Sequence, residues 1–133
     1  KVIERARAIN EERLTSPFQI LMSLGGREQA AICGALIAAR LNSIPVIIDG
    51  FIASSAIAPL MSVDEIYDHV IFAHQSAEAG HGRLLHKLGK VPMFDLGMRL
   101  GEGSGAALAL SIIRASLACH NGMATFADAG IGS

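Results

Sequence analysis

The sequence has no tryptophan and one tyrosine, and only 17% of it is charged, against about 25% in an average soluble domain. A surface this poor in charge implies that part of it is covered, by a second domain or a partner subunit. Lysine plus arginine (11) nearly balance aspartate plus glutamate (12), with no run of either sign. Long-range attraction to nucleic acid or to an anionic membrane surface is thereby excluded. The only cysteines, Cys33 and Cys119, form no CxxC pair, which excludes a zinc or dithiol redox motif. Both lie in apolar helical text and read as buried free thiols of a reducing cytoplasm. A membrane span is missing as well. The apolar stretch near the start, Ala30–Ala39 with Gly34 inside it, falls far short of the roughly 18 residues that a span needs.

What is present is apolar bulk. Of the 133 residues, 51% are hydrophobic, enough for the core of one domain and too many for a disordered chain. The chain opens at Lys1, already helical in character and with no capping signal before it, which reads as part of a longer protein. Lys1–Glu12 predicts an amphipathic helix with Val2, Ile3, Ala6 and Ile9 on one face. Ser16 caps a second helix, Pro17 sits in its first turn, and Gly25-Gly26 stop it. A third runs from about Arg27 to Leu41. The β-branched run after Ile44-Pro45, closed by Asp49-Gly50, predicts a buried strand. A helix near Ser54–Met61, a strand over Val70–Ala73, a helix over about Ala77–Leu88, a strand over Val91–Leu96 and a helix from Ser104 to Asn121-Gly122 complete the reading. Alternating strands and helices predict a three-layer, Rossmann-like α/β/α fold on a parallel sheet. Residues 1–133 supply about three of its strands, a partial unit to be completed by a region N-terminal to it.

In an open parallel sheet, ligands bind beyond the carboxyl ends of the strands, and polar residues gather at all three such ends here. The first strand ends in Asp49-Gly50, suited to a ribose hydroxyl or to capping the turn that follows. The second leads into His74-Gln75-Ser76-Ala77-Glu78-Ala79-Gly80-His81. The third leads through Gly97-Met98-Arg99 into Leu100-Gly101-Glu102-Gly103-Ser104-Gly105. Glycines let backbone amides approach an anion, and the helix start after them adds unpaired N–H donors. Ser104 is placed to cap that helix or to donate to a phosphate oxygen. The plain alternative is an ordinary glycine-rich turn. The same residues satisfy GxGxxA, but the second strand with its acidic end about 20 residues on is missing, so a dinucleotide site is excluded. Glu102 lies between glycines near Leu100 and Met98, where apolar walls would raise a carboxylate toward use as a general base; a solvated loop glutamate is the bland reading. Ser76 before a helix suits a second anion contact. His74 and His81 suit backbone bonds, and their spacing is no metal signature. A Ser76–His81–Asp49 hydrolase lacks the GxSxG elbow. Arg99 is placed to pair with Asp95 or Glu102.

The order of these pieces resembles one family. Gly25-Gly26-x-Glu28, Ile44-Pro45-Val46-x-x-Asp49-Gly50-Phe51-Ile52, His74-x-Ser76-Ala77-Glu78-x-Gly80-His81 and Leu100-Gly101-Glu102-Gly103-Ser104-Gly105-Ala106-Ala107 are similar, over nearly the whole chain, to the C-terminal part of nicotinate-nucleotide–dimethylbenzimidazole phosphoribosyltransferases. Gln75 stands where that family often has Arg, and Ala79 where it often has Pro. The resemblance implies transfer of phosphoribose from nicotinate mononucleotide to 5,6-dimethylbenzimidazole in cobalamin assembly, without metal or organic cofactor. It implies Glu102 as the general base, Leu100 in the base pocket, and Ser76 with Gly103, Ser104 and Gly105 at the 5′-phosphate, aided by Lys1. It also implies a cytoplasmic homodimer, and a long N-terminal portion carrying a second glycine-rich, glutamate-containing loop and much of the base pocket. The alternative carried beside it is a non-catalytic nucleotide- or phosphate-binding module; a purely structural domain is the third.

Overall fold

The computed structural model describes residues 1–131. Its elements are helices α1 (Val2–Asn10), α2 (Pro17–Leu24) and α3 (Arg27–Leu41), strand β1 (Val46–Ile48), helix α4 (Gly50–Ile57), strand β2 (Val70–Phe72), and helices α5 (His81–Lys87) and α6 (Ser104–Gly122), with single 3-10 stretches after α1 and α4. This is a partial α/β fold. The two strands are parallel, with Val46 opposite Val70, Ile47 opposite Ile71 and Ile48 opposite Phe72. None of the described helices is long and apolar enough to cross a membrane.

Local chemistry explains where the elements begin. Ser16 accepts the Gln19 amide at 3.2 Å to cap α2 ahead of Pro17, and the side chain of Gln29 reaches back to the Gly26 amide (2.9 Å) at the start of α3. α4 begins directly on the strand end, four residues before the expected Ser54. Gly50, at φ +67°, turns that corner in a conformation that L-residues disfavour. α5 begins at His81 and not at Ala77. Ser76 Oγ accepts the Glu78 amide (3.3 Å) and Glu78 O accepts the His81 amide (3.0 Å), so the intervening residues form a turn.

The expected third strand over Val91–Leu96 reduces to one parallel bridge between His74 and Phe94. Backbone pairing nevertheless runs along the extension of β2: Met93 N–H to Phe72 O (2.9 Å), Gln75 N–H to Phe94 O (2.9 Å) and Ala77 N–H to Met98 O (2.9 Å). Pro92 has no N–H to give a ladder, and Asp95 accepts the Gly97 amide at 3.2 Å, which bends the chain away. The three strand exits therefore still lie side by side.

The core is built from Cys33 and Leu36 of α3, Ile48 and Phe72 of the strands, Ile57 and Leu60, Tyr67, and Leu85 with Leu88. Tyr67 donates to Ile57 O at 2.7 Å, and burial, seconded by the Cys33 thiolate charge, pushes its phenol up to about 12. Two apolar helix faces lie at the surface. No residue of α1 is buried, so its apolar face is exposed, with Ile9 at 71%. α6 buries only Gly105 and Ala109, which leaves Cys119 exposed, where a buried thiol was expected, along with Leu110, Ile112 and Leu117.

Leu36 is 2% exposed and is the larger of the two side chains by which α3 enters the core. Leu36→Ala is expected to lower stability by about 2–5 kcal/mol, read from the urea midpoint; a loss well under 1 kcal/mol would show that α3 is held elsewhere.

Candidate active site

The carboxyl edge of the sheet is drawn together by one long-range bond. Asp49, the residue after β1, makes no capping bond to its own helix α4. Its Oδ1 instead accepts the amide of Ala106 in the first turn of α6, at 2.7 Å. A carboxylate is favoured there by the unpaired amides and the positive end of the helix dipole. His74, 4% exposed, lies alongside, its Nε2 3.7 Å from the same oxygen, and its ring stacks on Phe94 with centroids 6.0 Å apart. Gly105 fits between them: a Cβ there would run into the His74 ring and come within 2.7 Å of Asp49 Oδ1. Glycine is required at 105 by close approach, not by backbone angle.

A second set of bonds fixes the exit of β2. The Ser76 amide donates to His81 Nδ1 at 2.8 Å, His81 Nε2 lies 3.0 Å from Ser54 Oγ, and Ser54 Oγ donates to Gly50 O at 2.7 Å. His81 touches the amide of Ser76 and not its hydroxyl, so no Ser–His–Asp hydrolase is assembled. Burial, then the charge of His74, lowers His81 below its ordinary 6.5, and Asp49 pulls weakly the other way.

These edges frame an open cavity of about 590 Å3. Asp49, Gly50 and Phe51 enter it from β1 and α4, His74, Ser76 and Glu78 from the β2 exit, and Arg99, Gly101, Glu102 and Gly103 from the loop before α6; Glu28 of α3 closes one side. Glu102 adopts φ +58° between Gly101 (+81°) and Gly103 (+75°), three successive residues in the left-handed region. Around the α6 start, Ser104 N–H donates to Gly101 O (3.1 Å) and Ala107 N–H to Gly103 O (2.9 Å). With Ala106 taken by Asp49, the amides of Gly101, Glu102, Gly103 and Gly105 have no partner among the described residues. Four carboxylates and the single guanidinium of Arg99 line the cavity, and Arg99 makes no ion pair among the described residues. Within the described residues no group of His, Cys, Asp and Glu is arranged to hold a metal.

A family model described as phosphoribosyltransferase matches residues 1–131. The chain is 55% identical over 130 residues to the nicotinate-nucleotide–dimethylbenzimidazole phosphoribosyltransferase of Brucella anthropi, covering 97% of this chain and 38% of that protein. It is 58% identical over 131 residues to the one from Novosphingobium aromaticivorans, covering 98% of this chain and 39% of that protein. The crystal structure of CobT from Thermus thermophilus superposes on 90% of this chain and 36% of its own, with TM-score 0.80 and 33% identity. This chain belongs to the nicotinate-nucleotide–dimethylbenzimidazole phosphoribosyltransferase family. It spans a little over a third of the length of the curated relatives it matches.

Not every residue that the phosphoribosyltransferase motifs single out reaches the cavity. Glu102, Ser76, Asp49 and Gly103 line it, and Gly105 is buried behind it against His74. Ser104 makes no capping bond; Gly103 is the cap residue, in the left-handed conformation. Leu100 is 80% exposed and does not line the cavity, so it builds no wall beside Glu102 in this chain. Lys1 is exposed at the start of α1, also outside the lining. Arg99 pairs with neither Asp95, which is bonded to Gln75 Nε2 at 2.9 Å, nor Glu102. Glu28, Phe51 and His74 stand in the motifs, His74 at the exit of the second strand, but with no ligand role assigned; their place in the lining comes from tertiary packing.

Gly105→Ala is expected to destabilise the protein by about 1–3 kcal/mol through overpacking; an unchanged denaturant midpoint would mean that the His74–Asp49 contact yields easily. The lowered His81 gives a pH dependence of known sign. The unfolded chain takes up this proton near 6.5 while the folded chain resists it, so the contribution is full above that pH and is lost as pH falls below it. Unfolding midpoints measured from pH 7.5 down to 5 are expected to fall less steeply in His81→Asn, which removes the titrating ring, than in the parent protein.

Proposed function

We propose that this chain carries the C-terminal part of a nicotinate-nucleotide–dimethylbenzimidazole phosphoribosyltransferase active site, in a longer protein whose N-terminal portion completes the base pocket. The observation that carries this reading is the meeting of Glu102, Ser76, Asp49 and the Gly101–Gly103 turn around one cavity. The 5′-phosphate of nicotinate mononucleotide is held at Ser76 and the free amide of Gly103, with Ser104 beside them and Gly105, behind the cavity wall, letting the start of α6 come close; backbone donors and a helix start suit it. Lys1, outside the lining here, is left as a further phosphate contact. Asp49, with one oxygen committed to Ala106, keeps the other for a ribose hydroxyl. Leu100 faces the portion of the protein that supplies the rest of the base pocket.

The chemistry then follows. One nitrogen of 5,6-dimethylbenzimidazole attacks C1′ of the ribose from the face opposite nicotinate. The bond from C1′ to the nicotinate nitrogen breaks, and its electron pair neutralises the pyridinium. Glu102 takes the proton from the other benzimidazole nitrogen, which would otherwise leave a cationic product. Inversion at C1′ gives α-ribazole 5′-phosphate and nicotinate. No metal or organic cofactor enters these steps. We place the protein in the cytoplasm as a homodimer; its free cysteines and the exposed apolar faces of α1 and α6 support that reading.

In the full-length protein, Glu102→Gln is expected to slow turnover by about 10²–10⁴-fold, the usual worth of a general base, while nicotinate mononucleotide binding is largely kept. Near-normal turnover would remove Glu102 from this role. Binding of nicotinate mononucleotide by the parent protein without any base exchange would favour a phosphate-binding module instead.

A further inference from the structure

We propose that His81 is a positioning residue for phosphoribose: a neutral imidazole in one tautomer, tying the Ser76 amide to the corner at Gly50 and so setting where the sugar phosphate is held. The inference rests on the phosphoribosyl-transfer reading above.

The tautomer follows from the bonds. A backbone N–H only donates, so His81 Nδ1, 2.8 Å from the Ser76 amide, presents a lone pair. The ring proton of a neutral imidazole then sits on Nε2, facing Ser54 Oγ at 3.0 Å. Ser54 passes its own hydrogen to Gly50 O at 2.7 Å. Each hydrogen in this chain has one acceptor. The other tautomer, or the protonated ring, would set an N–H against the Ser76 N–H. Bulk solvent does not reach the arrangement, because His81 is 1% and Ser54 1% exposed.

The chain of bonds joins parts of the cavity wall that no strand pairing joins. It starts at Ser76 beyond β2, passes through the first residue of α5 and the middle of α4, and ends at Gly50 beyond β1. Ser76 and Gly50 both line the cavity, while His81 itself does not. Phe51, also in the lining, lies against the same ring with centroids 5.8 Å apart, and a Cβ on Gly80 would come within 2.8 Å of its Cζ. The His74 ring stands edge-on to His81 at 6.4 Å. A residue serving the core alone would need only bulk here; this one carries two directional bonds, one directly to Ser76 in the lining and one through Ser54 to Gly50.

The test separates direction from bulk. In the full-length enzyme, the amide oxygen of His81→Asn can take the place of Nδ1 and still accept the Ser76 amide. His81→Gln reaches toward Ser54 and offers no acceptor at the Nδ1 position. The two are compared for base exchange, with KM for nicotinate mononucleotide and for 5,6-dimethylbenzimidazole measured separately and thermal midpoints alongside. His81→Gln is expected to raise KM for nicotinate mononucleotide on the order of tenfold, as misplacement of a binding group does, with KM for the base little changed. His81→Asn should recover most of that loss at a similar drop in thermal midpoint. Equal kinetic effects in the two variants, or an unchanged KM for nicotinate mononucleotide in His81→Gln, would overturn the proposal. Should either variant not fold, the nitrogen NMR spectrum of His81 in the parent enzyme decides: an unprotonated Nδ1 with a protonated Nε2 is expected at neutral pH, and the opposite tautomer or a doubly protonated ring overturns it. A parent enzyme without base exchange would instead sink the transfer reading, with that spectrum still judging the histidine.

Discussion

The bond from the Ala106 amide to Asp49 closes a loop of the chain between two residues 57 apart in sequence, and it decides where the glycine-rich turn can lie. α6 otherwise has little to hold it, since only Gly105 and Ala109 along its length are buried. A buried or half-buried carboxylate accepting a first-turn amide is worth more than a neutral hydrogen bond, and it pulls the start of α6 against the end of β1. Gly105 permits the approach, and His74, wedged between that glycine and Phe94, sets its limit. With α6 fixed in this way, Gly103 and Glu102 have one place to be, at the cavity edge facing Ser76.

This arrangement spends an anion site on a protein anion. Asp49 occupies one amide of the α6 first turn that a phosphate would otherwise use, and the donors left over at the cavity belong to the Gly101–Gly103 turn. Four carboxylates and one guanidinium are the charged groups of the cavity lining, so an anionic ligand finds its favourable partners in the backbone amides and Arg99. Anion binding is thus left to backbone donors and one guanidinium more than to a balance of charged side chains.

Much of this was legible in the sequence where the signals are local. α3 and α6 begin at Arg27 and Ser104 because glycines precede them and good helix formers follow. The convergence of polar residues at strand ends was legible too, since parallel strands order their exits without any knowledge of side-chain contacts. The rest depends on contacts between distant segments. The start of α5 moved from Ala77 to His81 because the turn at Ser76–Gly80 competes with the helix for the same amides. The third strand shrank to a bridge at Phe94 because the Asp95 side chain bends the chain beyond it. Cys119 sits in text as apolar as that around Cys33, yet one is exposed and one buried; composition does not say which helix face meets a partner. His81 reads as a bland backbone-bonding histidine, and only its two bonded ends distinguish it.

Among the described residues, three other than glycine hold left-handed backbone angles: Ser43, Glu65 and Glu102. Each carries a steric penalty of about 1 kcal/mol that glycine would escape. Ser43 and Glu65 sit in turns away from the cavity, so relieving them is a plain route to a tougher protein. At Glu102 the same relief would delete the carboxylate. A campaign that ranks variants by heat resistance alone would therefore be drawn toward glycine at the one left-handed position where catalysis is proposed to need a side chain.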